Sequence, residues 1–293
     1  MNWCYAILSY NHSEHTRNCI RSVFAVSPDA KVYVIHNGTE PKQRALVQSE
    51  FPNSSNMSHI IFDVNTGFSG GLNRGLMKIF EAEDFIFVLT NDTELTQIPK
   101  VDIPKCTTIP LLLNKRTKKI DSFGGYFQPS KGHLYHNKNL TTVFEDSGQR
   151  LTYVPGSAFL IDRDSFVTTN GFWEDLGTYW EDVEWTQRLK KAKRPLVLNS
   201  DFKLFHKIGK TCHKDSFYTT YLFQRNRLVV SWLYTKSGNR IVLLLRSLWN
   251  LIRWTVKSIS KSNYSSLRLY LRANWHAIKM IKENRSRPQG MGN

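Results

Sequence analysis

Five apolar residues in a row, Phe85-Ile86-Phe87-Val88-Leu89, give way at once to the polar run Thr90-Asn91-Asp92-Thr93. A short run that is apolar at every position suits a strand covered on both faces, the setting of parallel strands flanked by helices. The preceding stretches have the same texture. Ala6 to Leu8 is strand-like, Glu14 to Phe24 helical, Lys31 to Ile35 strand-like, Pro41 to Glu50 helical, His59 to Phe62 strand-like and Gly71 to Glu83 helical. Alternation at this spacing predicts βαβ units and an α/β fold, with a mostly parallel central sheet flanked by helices. In such sheets ligands bind beyond the carboxyl ends of the strands, where polar residues close each apolar run here.

From Val101 to Leu151 the chain breaks into short, turn-rich pieces such as Phe123-Gly124-Gly125-Tyr126. Leu151 to Ile161 then reads as strand, kink, strand, and Pro195 to Leu198 and Phe202 to His206 as further strands. Beyond Phe217 the chain is helical and basic. Arg246, Asn250, Arg253 and Lys257 recur at i, i+4, i+7 and i+11, one polar stripe with Leu and Trp on the rest of the helix. Such a helix suits an anionic membrane surface, and equally a helix packed on its own domain with a solvated basic face. The tail after Arg285 reads as disordered.

The 293 residues carry a formal net charge of +16, which calls for an anionic partner: nucleic acid, anionic lipid or a phosphorylated substrate. No nucleic-acid recognition motif is present and the basic residues concentrate after Lys190, so nucleic acid is not expected. Cys4, Cys19, Cys106 and Cys212 form no CxxC pair and no metal-ligand spacing, which fits reduced thiols better than a disulfide framework. Met1 to Leu8 lacks the regions of a signal peptide, and no apolar stretch is long enough to span a bilayer. A cytoplasmic location is expected, in which Asn-x-Ser/Thr triplets such as Asn139-Leu140-Thr141 have no meaning.

Against this basic background, Tyr179-Trp180-Glu181-Asp182-Val183-Glu184-Trp185 sets three acids within four positions among aromatic rings. Val183 to Ala192 has helical composition, so Glu181 and Asp182 fall at or just before a helix N-terminus, where the macrodipole favours an ionised carboxylate. A carboxylate partly walled by aromatics is a candidate general base. An acidic first turn on a solvated face accounts for the same residues. Asn65 to Gly75 follows a strand and opens a helix, and its glycines let backbone N–H groups approach a phosphate. It matches neither a Walker loop nor GxGxxG, and a structural tight turn is the commoner explanation. Asp92, ending the buried strand, is placed to hold a divalent cation on a diphosphate, or to cap a turn. His206 also ends a strand, as a candidate ligand or a hydrogen-bonded structural residue.

Taken together, the order and spacing of these pieces resemble the inverting glycosyltransferases of family 2, most closely their bacterial rhamnosyltransferase-like branch. The resemblance lies in Ile7 to Asn11, Asn65 to Gly75, Leu89 to Thr93, Val154 to Phe159, Gly171-Phe172 with Tyr179 to Glu184, His206 with Gly209, and Arg225-Asn226-Arg227. It implies a GT-A fold with a donor-binding half at 1–100, an acceptor-binding and catalytic half of the same domain at 101–235, and basic amphipathic helices and tail at 236–293. It implies Asp182 as general base with Glu181 beside it. Asp92 would ligate Mg2+ or Mn2+ on the donor diphosphate, and His206 would complete the metal or diphosphate site. Donor contacts are implied for Tyr10, Asn11, His36, Asn37, Asn65, Gly67, Phe68, Gly70, Gly71, Asn73, Asn91 and Arg227. Three positions depart from the family pattern. His36 stands where an Asp usually faces the nucleobase, Asp92 is the single carboxylate of its motif, and Trp173 replaces an acid.

The resemblance thus implies transfer of a sugar from a dTDP- or UDP-sugar, with L-rhamnose from dTDP-rhamnose as the leading donor. The acceptor would be a glycan or a lipid-diphosphate-linked chain in bacterial surface polysaccharide synthesis, with the basic helices on the inner face of the membrane. Displacement at an anomeric carbon needs a base opposite the leaving group and positive charge on the departing diphosphate. The alternatives are a protein that binds nucleic acid or another anionic partner, and a catalytically inactive relative. A sugar-nucleotide-forming nucleotidyltransferase wants a Gly-rich basic loop where Ser9-Tyr10-Asn11-His12 stands.

Overall fold

The computed structural model describes residues 3–138, 151–207, 217–260 and 264–283. The chain opens with β1 (Cys4–Ser9), α1 (Ser13–Val26), β2 (Val32–Asn37), α2 (Pro41–Glu50), β3 (Met57–Phe62), α3 (Gly67–Ile79) and β4 (Phe85–Thr90). β1 pairs in parallel with β2 and with β4, and β2 pairs in parallel with β3. The spatial order β3-β2-β1-β4 changes its direction of growth at β1, the kind of switch point where a crevice opens beyond the strand ends. Side chains alternate between two cores. Tyr5, Ile7, Phe87 and Leu89 join Cys19, Ile20 and Val47 of α1 and α2, whereas Ala6, Ile86 and Val88 join Leu72, Leu76 and Ile79 of α3.

The second half follows as β5 (Thr93–Gln97), β6 (Thr107–Asn114), β7 (Ile120–Ser122), β8 (Gly125–Gln128), β9 (His133–His136), β10 (Ala158–Asp162), α4 (Arg163–Thr168), α5 (Glu181–Lys191) and β11 (Leu196–His206). The sheet order is β3-β2-β1-β4-β10-β6-β11-β5, with β7 on β6 and β8–β9 as a separate hairpin. The α/β class is as expected. Parallel pairing is confined to β3, β2, β1, β4 and the β6–β11 pair, because β10 enters between β4 and β6 running the other way. The two strands expected between Pro195 and His206 are one, β11, whose register on β6 slips between Asn199 and Lys203.

Helix α3 begins at Gly67, ahead of the expected Gly71, because its glycines are packing residues within the helix. A Cβ at Gly75 would lie 2.3 Å from Ile35 Cδ1, and one at Gly71 would lie 2.6 Å from Asn37 Nδ2. Their absence lets α3 settle directly on β2.

Helices α6 (Phe217–Tyr234), α7 (Arg240–Ser260) and α8 (Tyr264–Glu283) complete the described chain. Trp254 of α7 stacks on Tyr270 of α8 with ring centroids 5.2 Å apart. The polar stripe expected on α7 is split. Arg246 and Arg253 are exposed, Asn250 is half-buried against the body of the protein, and Leu245, Leu248, Trp249 and Ile252 face outward. Among the described residues no helix is long and apolar enough to cross a membrane. Gly209, Cys212, the triplet Asn139-Leu140-Thr141, the tail after Arg285 and the Lys257 side chain lie outside the described residues.

Candidate active site

A cleft of about 980 Å³ opens beyond the carboxyl ends of β1 and β4. Tyr10, Asn37, Asn65, Gly67 and Phe68 line it from the first half, and Thr90, Asn91 and Asp92 from the end of β4. Tyr153, Gly156, residues 178–183, His206 and Arg227 close it from the second half.

Glu181 and Asp182 are the first two residues of α5. Asp182 Oδ2 accepts from the Gly156 N–H at 3.0 Å and its Oδ1 from the Val183 N–H at 2.8 Å, and the Tyr153 hydroxyl bonds the same carboxylate. Burial pushes the Asp182 carboxyl above the usual range, and these three donors work against that push. Glu181 is 5% exposed and its Oε2 has no hydrogen-bond partner among the described residues. Burial first, then the Asp182 charge, raise Glu181 well above the usual glutamate value. Two carboxyls so placed do not ionise together. Asp182, with its fixed donors, carries the charge and Glu181 keeps a proton.

The approach to α5 is strained. Tyr179 and Trp180 have φ of 70° and 71°, a left-handed backbone that bulky residues rarely adopt. Asn226 of α6, wholly buried, holds this segment: its Nδ2 donates to the carbonyls of Leu176, Thr178 and Tyr179 at 2.8, 3.1 and 2.7 Å. Trp180 packs edge-on against Phe127 and Phe223. From the first turn of α3, the Ser69 N–H and hydroxyl both donate to Gly177 O, at 2.9 and 3.0 Å. Glycine at 156 admits the Asp182 carboxylate, since a Cβ there would lie 3.3 Å from Asp182 Oδ2 and 3.2 Å from Phe68 Cζ.

At the far end of the cleft, Thr90 Oγ1 donates to Asp92 Oδ1 at 2.6 Å, and His206 Nε2 lies 3.6 Å from Asp92 Oδ2. His206 Nδ1 bonds Asp121 Oδ2 at 2.9 Å. An ionised carboxylate only accepts, so Nδ1 carries the donated proton. Burial alone would lower the imidazole pKa, but the bonds to Asp121 and Asp92 lift it to about 9. Asp92 is buried too, yet His206 and Thr90 hold it below the usual aspartate range. One carboxylate and one imidazole, each oriented by a further partner, suit Mg2+ or Mn2+. Among the described residues no group of three His, Cys, Asp or Glu could hold an ion alone, so its remaining ligands would come from a bound diphosphate and water.

Several expected donor contacts lie elsewhere. Gly70 and Gly71 are packed inside α3, and Gly71 meets Asn37. The N–H groups of Gly67, Phe68 and Ser69 are already bonded to Asn65, Thr178 and Gly177, so the helix start is not an open phosphate cradle. Asn73 braces α3 against the 171–174 stretch, donating to Phe172 O and Glu174 and accepting from the Phe172 N–H. Asn11 accepts from the Glu40 N–H at 2.9 Å rather than lining the cleft. His36 points to the other side of β2 from Asn37, bonded to His59 at 2.9 Å. Burial lowers its pKa to about 3, so the ring is neutral. Trp173 is buried in an aromatic core and does not reach the cleft. Asn91 lines the cleft but directs its amide N–H groups to Thr16 Oγ1 and Asn11 O, at 3.2 and 3.4 Å.

Four contributors were not singled out by their sequence context. Tyr153, Gly156 and Asn226 sit within or beside segments already noted. Asp121 lies in the turn-rich stretch with no motif around it, and only the pairing of β7 on β6, beside β11, brings it to His206.

No protein-family model matches the sequence, and no curated protein does. Solved structures match it by shape. GalNAc-T7 with UDP, GalNAc and Mn2+ superposes with a TM-score of 0.63 at 13% identity over 81% of this chain and 48% of that one. This chain therefore spans about half of the GalNAc-T7 chain. The mannosyltransferase PcManGT from Pyrobaculum calidifontis, in complex with GDP-Man and Mn2+, gives 0.55 at 9% identity over 97% and 88% of the two chains. TarS 1-349 from S. aureus gives 0.54 at 12% identity over 93% and 81%. Identities this low speak to architecture alone, and the architecture is the GT-A fold of these glycosyltransferases.

Proposed function

We propose that the chain is a metal-dependent, inverting glycosyltransferase of family 2, in its rhamnosyltransferase-like branch. Its donor is a dTDP- or UDP-sugar, with dTDP-rhamnose the leading candidate. Its acceptor is a glycan or lipid-diphosphate-linked chain in bacterial surface polysaccharide synthesis. Residues 1–100 form the donor half, 101–235 the acceptor and catalytic half, and 236–293 the basic helices of a peripheral protein on the cytoplasmic face of the membrane. The observation that supports this best is one cleft joining the buried Asp182–Glu181 pair to the Asp92–His206 pair. The nucleotide sugar and nucleotide found with Mn2+ in the mannosyltransferase and GalNAc-T7 structures agree with it.

Asp182 takes the proton of the acceptor hydroxyl as that oxygen forms its bond to the anomeric carbon and the bond to the diphosphate breaks. Glu181, neutral, leaves Asp182 as the single charge of that wall. Asp92 and His206 would hold the Mg2+ or Mn2+, which neutralises charge on the departing nucleoside diphosphate. Arg227 adds a fixed cation to the same cleft. Phe68, Trp180 and Phe223 limit water around the base.

The test is thermal stabilisation by dTDP-rhamnose, UDP-glucose, UDP-galactose, UDP-N-acetylglucosamine and GDP-mannose, each with and without Mn2+. One donor is expected to stabilise the protein, more strongly with metal, and Asp92→Ala should lose the metal's share. The anomeric configuration of the product then decides between inversion and retention. Absence of any shift at millimolar donor would sink the reading.

A further inference from the structure

Helix α7 is mounted with its apolar side away from the protein. Leu243 and Ser258 are buried, and Ser247, Asn250 and Trp254 half-buried, all on one face at the helical period. The opposite face carries Ile241, Leu245, Leu248, Ile252, Val256 and Ile259, each between 47% and 62% exposed, with Trp249 beside them at 60%. Polar groups on and near the inner side are satisfied within the helix: Ser247 donates to Leu243 O at 2.8 Å and Thr255 to Leu251 O at 2.9 Å. A helix packed for water alone has the reverse arrangement. Helix α8 repeats the pattern, with Tyr264, Leu271, Trp275 and Ile278 exposed at i, i+7, i+11 and i+14.

Charge selects the occupant. Exposed Arg246 and Arg253 border the α7 face, and Arg268, Arg272 and Lys279 border the α8 stripe. From Ser216 to Lys282 the sequence holds twelve Lys and Arg and no Asp or Glu. Two copies meeting through this patch would set like charges against each other, since a two-fold contact pairs the patch with itself. Acyl chains beneath anionic headgroups match both the apolar stripe and its basic border.

We propose that α7, with α8 beside it, lies in the plane of an anionic bilayer. Leu248, Trp249 and Ile252 insert among the acyl chains while Arg246 and Arg253 stay at headgroup level. Arg227 lines both the cleft and the small cavity under the inner face of α7, so the helix that docks lies beside the site where a lipid-linked acceptor would enter. This deepens the peripheral-membrane part of the reading above. It is independent of the transfer chemistry, because vesicle binding is measured without donor or acceptor.

The experiment is vesicle flotation of the full chain with phosphatidylcholine alone and with added phosphatidylglycerol, at low and molar salt. Wild type is expected to float with the anionic vesicles. The triple variant Leu248→Ser, Trp249→Ser, Ile252→Ser should partition at least about tenfold less. Arg246→Glu with Arg253→Glu should bind less and lose part of the salt dependence. An undiminished thermal midpoint of the triple variant shows that its fold is intact. Three results would overturn the proposal: no binding to anionic vesicles, equal binding by the triple variant, or a lipid-free dimer that the triple variant dissociates.

Discussion

Asp121 accepts a 2.9 Å hydrogen bond from His206 Nδ1, which turns the other ring nitrogen, Nε2, toward Asp92 at 3.6 Å. A carboxylate behind a histidine fixes the tautomer and ring orientation and makes the forward nitrogen a better ligand. Asp121→Ala should therefore weaken Mn2+ binding about 10–100-fold. Asp121→Asn, which still accepts through its side-chain oxygen, should lose less. The readout is the Mn2+ concentration at half-maximal thermal stabilisation with a fixed nucleotide donor. Identical metal curves for wild type and both variants would reduce Asp121 to a packing residue.

Asp182 is the ionised member of its pair, so Asp182→Asn should lower kcat about 10²–10⁴-fold while leaving donor-induced stabilisation intact. Its carboxyl titrates above the usual aspartate range because it is buried. Transfer requires the charged form, so kcat should fall as pH drops through that raised value and level off above it. A pH–rate profile at saturating metal checks the sign. A rate that stays flat down to the ordinary aspartate range would remove Asp182 from the role of base.

Glu181 affects stability in the opposite direction to a salt-bridged acid. Below its usual value of 4.5 the carboxyl is protonated in both the folded and the unfolded chain. Above that value the unfolded chain ionises while burial keeps the folded carboxyl protonated. Folding therefore weakens with rising pH, by about 1.4 kcal/mol per unit, until the raised folded pKa is passed. Glu181→Gln has no such loss, so its stability advantage over wild type should grow from about pH 5 upward and then level off. Urea denaturation across that range measures it, and a constant difference would contradict the proton assignment.

Much of this was legible in the chain because it is local. The apolar run at Phe85 to Leu89 demanded a strand covered on both faces, and β4 is that strand. Glu181 and Asp182 were placed at a helix start from composition alone, and they open α5. What was not legible depends on residues far apart in sequence. Asp121 meets His206 only through two strand pairings. The glycines of α3 look like a phosphate loop until Ile35 and Asn37 are seen to fill the space a Cβ would need. The outward apolar face of α7 had the same ambiguity, since periodicity shows that a helix has two faces but not which one turns inward.

The last of the long-range dependencies gives the sharpest mutational test. Tyr179 and Trp180 hold a left-handed backbone that costs roughly 1–3 kcal/mol per residue. Asn226 offsets that cost by bonding the carbonyls of Leu176, Thr178 and Tyr179 from the buried face of α6. Asn226→Ala removes all three bonds at a wholly buried position, although Leu176 O keeps the Thr178 N–H and Arg225 Nη2 as donors, so it should destabilise the fold by about 2–4 kcal/mol. The strained residues are then free to relax toward ordinary backbone geometry, and Glu181 and Asp182 follow them directly in the chain. On the proposed reading the donor is held by Asn37, Asn65 and Asp92, which line the cleft and make no bond to Asn226. Donor affinity should therefore change little while kcat falls steeply. Equal losses in donor affinity and kcat would mean that Asn226 supports the whole cleft and not the base alone.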